Sequence, residues 1–338
     1  VTMKITPAWV QTFETNIQTL VSNVWARRAS MLVWDKLMSV RQSTAGAELY
    51  FWLLETARIR KEGQGGNKRW EEIGAASFEI VNENSGDGLR LTKNEIEDNQ
   101  LGPDRGLVRG MPVLDYAASW ARQVGASAAY WPQEQMFELL RLGETKKAYD
   151  GKNFFATDHP VNPFSNATGD FANLLTGAAS GDYPGALPIH GTDLDAAAAN
   201  LAKAFAYVGT IRAPDGKSRN LRVKYVLVGP ALQYRIMQLL GTKFLTMAGI
   251  ENVLTNYGVE PIVATELTDE PNSYYLAVES MPEEGGALIF QDREPYTLTS
   301  YTTESESELQ RKTEFEWMFG GRNAVSFGHP YLIFKVKP

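Results

Sequence analysis

The chain has 338 residues, 33 Lys+Arg against 40 Asp+Glu for a formal net charge of −7, and 43% hydrophobic residues, enough for a sizeable core in one large or two medium domains. The acidic balance argues against a global electrostatic grip on nucleic acid. The absence of cysteine excludes disulfide scaffolds, thiolate metal sites, iron–sulfur clusters and a cysteine nucleophile.

The first predicted element is a helix entered at Pro7. Trp9, Phe13, Ile17, Leu20, Val21 and Val24 recur at three- and four-residue spacings and share one face. That stripe is either a core face or an arm that packs on a neighbouring chain. Ala47–Leu54 is extended in character and runs into a glycine-rich stretch, 58–69, before Ser77–Val81 returns. The pattern is a long hairpin. Its tip carries Arg58, Arg60, Lys61, Lys68 and Arg69 against Glu62, a net +4. Such a tip binds phosphate, stays solvated or grips another protein.

A strand ends at Thr92, where Glu95 three residues on completes a capping box. Pro112–Leu142 reads as a long helix that Pro132 kinks or restarts. Residues 149–191 are loop-like and mark the internal boundary. Beyond it Asp193 caps a helix, Ala196–Tyr207. Val223–Val228 is a buried strand that turns at Gly229-Pro230 into a helix, Ala231–Leu240. Strands follow at Pro261–Ala264, Tyr274–Val278, Ala287–Phe290 and Leu298–Thr302. The tail reads as an antiparallel pair, Glu308–Phe319 and Ala324–Val336, about Gly320-Gly321.

Catalytic signatures are missing. Ala213–Ser218 ends like a phosphate loop but has Ile211 where that motif needs glycine, and it precedes a strand instead of following one. Neither Gly-x-Gly-x-x-Gly nor Gly-x-Ser-x-Gly occurs. Asp158-His159 sits in turn chemistry and reads as structural. A histidine-only metal site would need His159, His190 and His329 to converge. No apolar run reaches eighteen residues, and Val1–Pro7 lacks the parts of a signal peptide. The expectation is a chain left by removal of an initiator methionine that folds in the cytoplasm where it is made.

Leu140-Arg-Leu-Gly143, Tyr149-Asp-Gly151 and Phe154-Phe155-Ala-Thr-Asp158-His159-Pro160 together resemble the signature of the Mu-like phage major head subunit family, gene product T. The resemblance extends upstream through Trp52-Leu53, Phe78-Glu-Ile80 and Glu95-Ile-Glu-Asp98, and covers about residues 45–165. Beyond 190 the order of elements is similar to the Hong Kong 97-type tailed-phage capsid fold, an α+β class. The resemblance implies an N-terminal arm (1–46), an E-loop hairpin (47–80), and a peripheral domain with a long spine helix and following loop (81–192). An axial domain (193–285) and closing peripheral strands (286–338) complete it.

That fold implies a major capsid protein, not an enzyme, without cofactor or membrane. Copies would form the hexamers and pentamers of an icosahedral shell around double-stranded DNA, which is held without sequence-specific contact. Assembly would take place in the host bacterial cytoplasm, and the product would be the virion. The implied partners are the chain itself, a separate scaffolding protein and maturation protease, a portal and a decoration protein. The alternative is an encapsulin-like compartment of the same fold. Residues 266–316 hold thirteen acidic residues against three basic ones, a net −10, and Glu304, Glu306 and Glu308 line one face if that stretch is a strand. The expected assembly contacts are Trp9 and Phe13 of the arm, and Arg58, Arg60, Lys61, Lys68 and Arg69 of one copy against Glu304, Glu306 and Glu308 of the next.

Overall fold

The computed structural model describes residues 5–53, 75–98, 107–108, 111–163, 169–241, 252–279, 285–300, 311 and 313–338. Helix α1 (Pro7–Ala29) starts where the Thr6 side chain accepts from Trp9 N–H at 3.3 Å, with proline in its first turn. Arg27 and Arg28 in its last turn oppose the helix dipole. Strands β1 (Met38–Gln42), β2 (Ala47–Leu53), β3 (Ala75–Val81) and β4 (Glu83–Thr92) follow, and then a short helix α2 (Lys93–Asp98). The capping box between β4 and α2 is complete. Glu95 Oε2 accepts from the Thr92 N–H and hydroxyl, both at 2.7 Å, and Glu95 N–H donates to Thr92 Oγ1 at 3.3 Å.

Two-residue strands β5 (Leu107–Val108) and β6 (Met111–Pro112) lead into the 30-residue helix α3 (Val113–Leu142). This helix runs continuously through Pro132 and does not restart there. Short pairs β7 (His159–Pro160), β8 (Asp170–Phe171) and β9 (Leu174–Leu175) punctuate the loop beyond it. Helix α4 (Leu194–Thr210) is capped by Asp193, whose carboxylate accepts from Asp195 and Ala196 N–H. Next come β10 (Val223–Val228), α5 (Gln233–Gly241), β11 (Glu260–Val263), β12 (Tyr274–Val278), β13 (Leu288–Ser300), β14 (Glu314–Phe327) and β15 (Ile333–Val336).

Two sheets organise these elements. One has the order β1-β13-β14-β4 and the other β11-β10-β12-β15-β9. The first carries α1 and α3 on its face. Its core joins Val10, Phe13, Ile17 and Val21 of α1 with Ala117, Ala121 and Val124 of α3 and Phe315, Trp317 and Phe319 of β14. Helix–helix approach needs Gly125, because a Cβ there would stand 2.7 Å from the Val21 carbonyl oxygen. The second sheet forms the larger core with α4, α5, the C-terminal end of α3 and the loop that follows it.

Four expectations need correction. Ala287–Phe290 and Leu298–Thr302 are not separate strands, since β13 is continuous from Leu288 to Ser300 with register shifts at Asp292–Thr297. Gly320-Gly321 is not a turn but the interior of β14. A Cβ on Gly86 would come within 2.6 Å of Phe319 O, and one on Gly321 within 2.9 Å of Glu294 O, so the glycines let β14 pass close to both neighbours. The tail does not remain with the first sheet, because Ile333–Val336 pair antiparallel with Tyr274–Ala277 in the second. The arm ends before residue 46, for Met38–Gln42 run parallel to Leu288–Asp292 as an edge of the first sheet.

Candidate functional site: assembly surfaces and the packing knot behind them

The stripe of α1 is occupied within its own chain. Phe13 is buried against Trp317, ring centroids 4.9 Å apart, and Trp9 stacks on Phe13 at 5.1 Å, half-buried. Within the single chain, Phe13 belongs to the core of the first sheet. A free arm would leave this apolar surface in water, whereas α3 and β14 remove it. Phe13→Ala is therefore expected to destabilise the subunit by about 3–5 kcal/mol. Chemical denaturation of the variant checks this, and an unchanged midpoint would put the ring outside the core.

The hairpin is present as β2 and β3, in antiparallel register from Ala47↔Val81 to Leu53↔Ala75. One face turns outward, with Leu49 and Val81 exposed, and Ile80 on the opposite face is buried. Arg58, Arg60, Lys61, Lys68 and Arg69 lie outside the described residues, as do Glu304, Glu306 and Glu308.

The segment that carries the family resemblance builds a buried knot where the end of α3 meets both sheets. Gly143 is required because a Cβ would run into the Phe155 ring, and Phe155 N–H donates to Gly143 O at 2.8 Å. Gly151 turns the chain at φ +80°. Phe154 is buried and stacks on Phe327 at 4.0 Å. His159 is fully buried and does not pair with Asp158, which contacts Lys152 instead. Its Nδ1 faces Asp150 Oδ2 at 2.5 Å, and its Nε2 faces Phe154 O and Asn173 Oδ1, both at 3.1 Å. The Asn173 amide donates onward to Phe154 O and to Pro330 O. Each polar atom of the imidazole is thus spent on the scaffold. The ring has no exposed surface, and its partners are groups of the scaffold itself.

A second buried cluster went unnoticed in the sequence. Lys335 on β15 is 1% exposed and sits 2.6 Å from Glu270 Oε1 and 2.8 Å from Glu144 Oε1, with the Phe155 and Tyr275 rings beside it. Tyr275 OH donates to Glu270 Oε2 at 2.7 Å, and Lys337 reaches Glu144 at 2.9 Å. Burial works to raise the Glu144 carboxyl, but hydrogen bonds from Lys335 and Lys337 outweigh it and hold it below its ordinary value. The signal was there: a lysine within Ile333-Phe-Lys-Val336 interrupts an otherwise apolar strand, and a buried cation needs partners.

Glu266 is a third anchor, on the turn after β11. It accepts from Tyr130 OH at 2.6 Å and Gln133 Nε2 at 2.7 Å, on either side of Pro132. Gln133 Oε1 accepts from Val33 N–H at 3.0 Å, so a single amide joins the segment after α1, the long helix and the second sheet. Burial pushes the Tyr130 hydroxyl up, reinforced by the Glu266 bond. Among the described residues, no group of three His, Asp or Glu is placed to hold a metal, and no helix is long and apolar enough to cross a membrane. What the described residues offer is a set of polar joints between elements and the two-stranded hairpin β2–β3.

Two sheets, a long helix lying across one of them and a two-stranded hairpin define the Hong Kong 97-type phage capsid fold. The capsid structure of cyanophage P-SCSP1u superposes with a TM-score of 0.55 at 10% identity, covering 90% of this chain and 87% of that one. The procapsid of bacteriophage JBD30 superposes with a TM-score of 0.52 at 20% identity, covering 99% of this chain and 76% of that one. Within that class, the family model described as Mu-like prophage major head subunit gpT matches residues 10–183, and one described as phage capsid protein matches 161–326. The chain belongs to the Mu-like prophage major head subunit gpT family. It is 29% identical over 140 residues to the major capsid protein of Escherichia phage Mu, 41% of each chain. The match spans about two fifths of the length of the curated relatives.

Proposed function

We propose that this protein is the major head subunit of a Mu-like tailed phage, a structural protein whose copies close as hexamers and pentamers into an icosahedral shell around double-stranded DNA. The observation that carries this reading is the gpT family match over residues 10–183 on a chain whose whole length follows the capsid fold. In this reading the first sheet with α3 is the peripheral domain and α3 its spine. The second sheet with α4 and α5 is the axial domain, which borrows β15 from the tail. Assembly takes place in the host cytoplasm, with a scaffolding protein, a maturation protease, a portal and a decoration protein as partners. DNA is enclosed without sequence-specific contact. An encapsulin-like compartment has less support, because the matched family is one of phage head subunits.

Electron microscopy of the expressed full chain, with gel filtration, tests the reading. Closed shells eluting in the megadalton range are expected, and a monodisperse dimer would overturn it. Neighbouring copies are clasped by the basic tip at 58–69 and the acidic stretch around Glu304–Glu308. The support is charge complementarity, +4 against a segment at −10. Each exposed pair contributes about 0.2–1 kcal/mol, and the effect comes from repetition around the shell. Reversing Arg58, Arg60 and Lys61 to glutamate is expected to block assembly, and reversing Glu304, Glu306 and Glu308 to lysine in the same chain to restore part of it. If the combined variant assembles no better than the first, there is no such clasp.

A further inference from the structure

Polar bonds tie the described side chains of the β2–β3 hairpin to the body. Ile80 is its buried apolar side chain among those described, and Leu49 and Val81 are exposed at 53% and 59%. At its base the bonds converge on Gln291 of β13, which is fully buried between Met38–Gln42 and β14. Gln291 Oε1 accepts from Tyr50 OH of β2 at 2.8 Å. Gln291 Nε2 donates to Asn82 Oδ1 at 2.7 Å and to Ile80 O of β3 at 3.3 Å. Asn82 passes the chain of bonds on, donating to Ser43 Oγ and Ala45 O, each at 2.9 Å, while its own N–H donates to Gly46 O at 3.0 Å. Glu48 closes the ring by accepting from Thr44 N–H, Ala45 N–H and the Ser43 hydroxyl. Those bonds hold its carboxyl below the ordinary value.

Both strands and the exit of the hairpin therefore meet at one side chain of the first sheet, and the entry joins it through Asn82. Apolar contacts permit sliding and tilting, whereas a closed set of directional hydrogen bonds admits one orientation. The geometry points to Gln291 as a positioning residue that sets the angle at which the hairpin leaves the sheet, and through it the angle at which one subunit reaches the next copy. The second half of this inference rests on the shell reading given above.

The absence of cysteine allows a direct test on the full chain before assembly. Nitroxides at Ser77→Cys on the hairpin and Arg122→Cys on α3, both exposed positions, report the hairpin angle by pulsed electron resonance. The parent should give one narrow distance distribution. Gln291→Leu keeps the bulk and removes every bond to the hairpin, and is expected to at least double the width of the distribution with an unchanged circular dichroism spectrum. Ile289→Val, an adjacent buried change on the same strand, should leave the width as it was and so separates angle from stability. An unchanged width in Gln291→Leu overturns the inference. If that variant does not fold, Tyr50→Phe decides, since it deletes one hydroxyl and should broaden the distribution part-way. No broadening in it overturns the inference too.

Unlabelled Gln291→Leu is expected to assemble into particles of mixed diameter where the parent gives one size. Uniform shells from both would overturn the link to assembly. Parent chains that form no shell, with the broadening still present, would sink the shell reading and leave the positioning role of Gln291 standing.

Discussion

Lys335→Ala is expected to lower the stability of the subunit by about 3 kcal/mol, the lower end of the ~3–5 kcal/mol seen when one partner of a buried ion pair is removed. Both carboxylates it leaves behind keep some access to water, Glu144 at 31% and Glu270 at 22% side-chain exposure, and this limits the loss. Part of the cost is the stem, which is buried with the rest of the side chain. Lys335→Met should recover that part and not the rest. Urea denaturation of the two variants checks the ordering, and equal stabilities of Met and wild type would mean that the cation contributes nothing.

The same cluster makes the stability dependent on pH. Burial alone would raise Glu144, but its bonds from Lys335 and Lys337 leave its carboxyl below the ordinary value. Glu266 is likewise lowered by Tyr130 and Gln133 against the opposing effect of burial. A carboxylate lowered in the folded state contributes stability that is fully present above its unfolded pKa of about 4.3 and is lost as pH falls through the folded value. Wild type should therefore weaken steeply below about pH 4. A Glu144→Gln, Glu266→Gln double variant should be less stable at neutral pH and flatter on the acid side. A parallel acid limb in the variant would exclude these two groups as its source.

His159→Ala is expected to cost about 3–5 kcal/mol, because it strips the partner from Asp150 Oδ2, on a side chain 3% exposed, and removes a ring stacked on Phe171 at 5.2 Å. An Asp150→Asn, His159→Ala pair should lose less than the sum of the singles, since both changes act on the same Asp150–His159 bond. Denaturant midpoints of the three variants measure this coupling. Ester and phosphoester hydrolysis should be absent from wild type and variants alike. Turnover in wild type that His159→Ala abolishes would reverse the structural assignment of this histidine.

Much of the chain was legible where its signals are local. The Thr92–Glu95 box, the Asp193 cap, the extent of α3 and strand Val223–Val228 each depend on residues within a few positions of one another. The motif at 140–160 was readable as a family resemblance before its parts had a purpose. In the structure Gly143 makes room for Phe155, and His159 binds the loop to Asn173 and so to Pro330. The misreadings share one cause. Gly320-Gly321 has the composition of a turn, and only the nearness of Gly86 and Glu294 shows that the glycines serve a close passage between strands.

By itself the sequence determined the periods of the elements, their caps and the hairpin, because backbone geometry repeats every 3.6 or 2 residues and writes itself into the apolar pattern. It also excluded cysteine chemistry outright. Tertiary structure alone decided the destination of each buried face: α1 onto the spine, β15 into the second sheet, Lys335 between two glutamates, Gln291 beneath the hairpin. These partners lie from 56 to more than 200 positions apart in the chain, and a contact of that span has no period to read. It comes into being when the two sheets close on their cores, where an unpaired charge or amide would be too costly to leave.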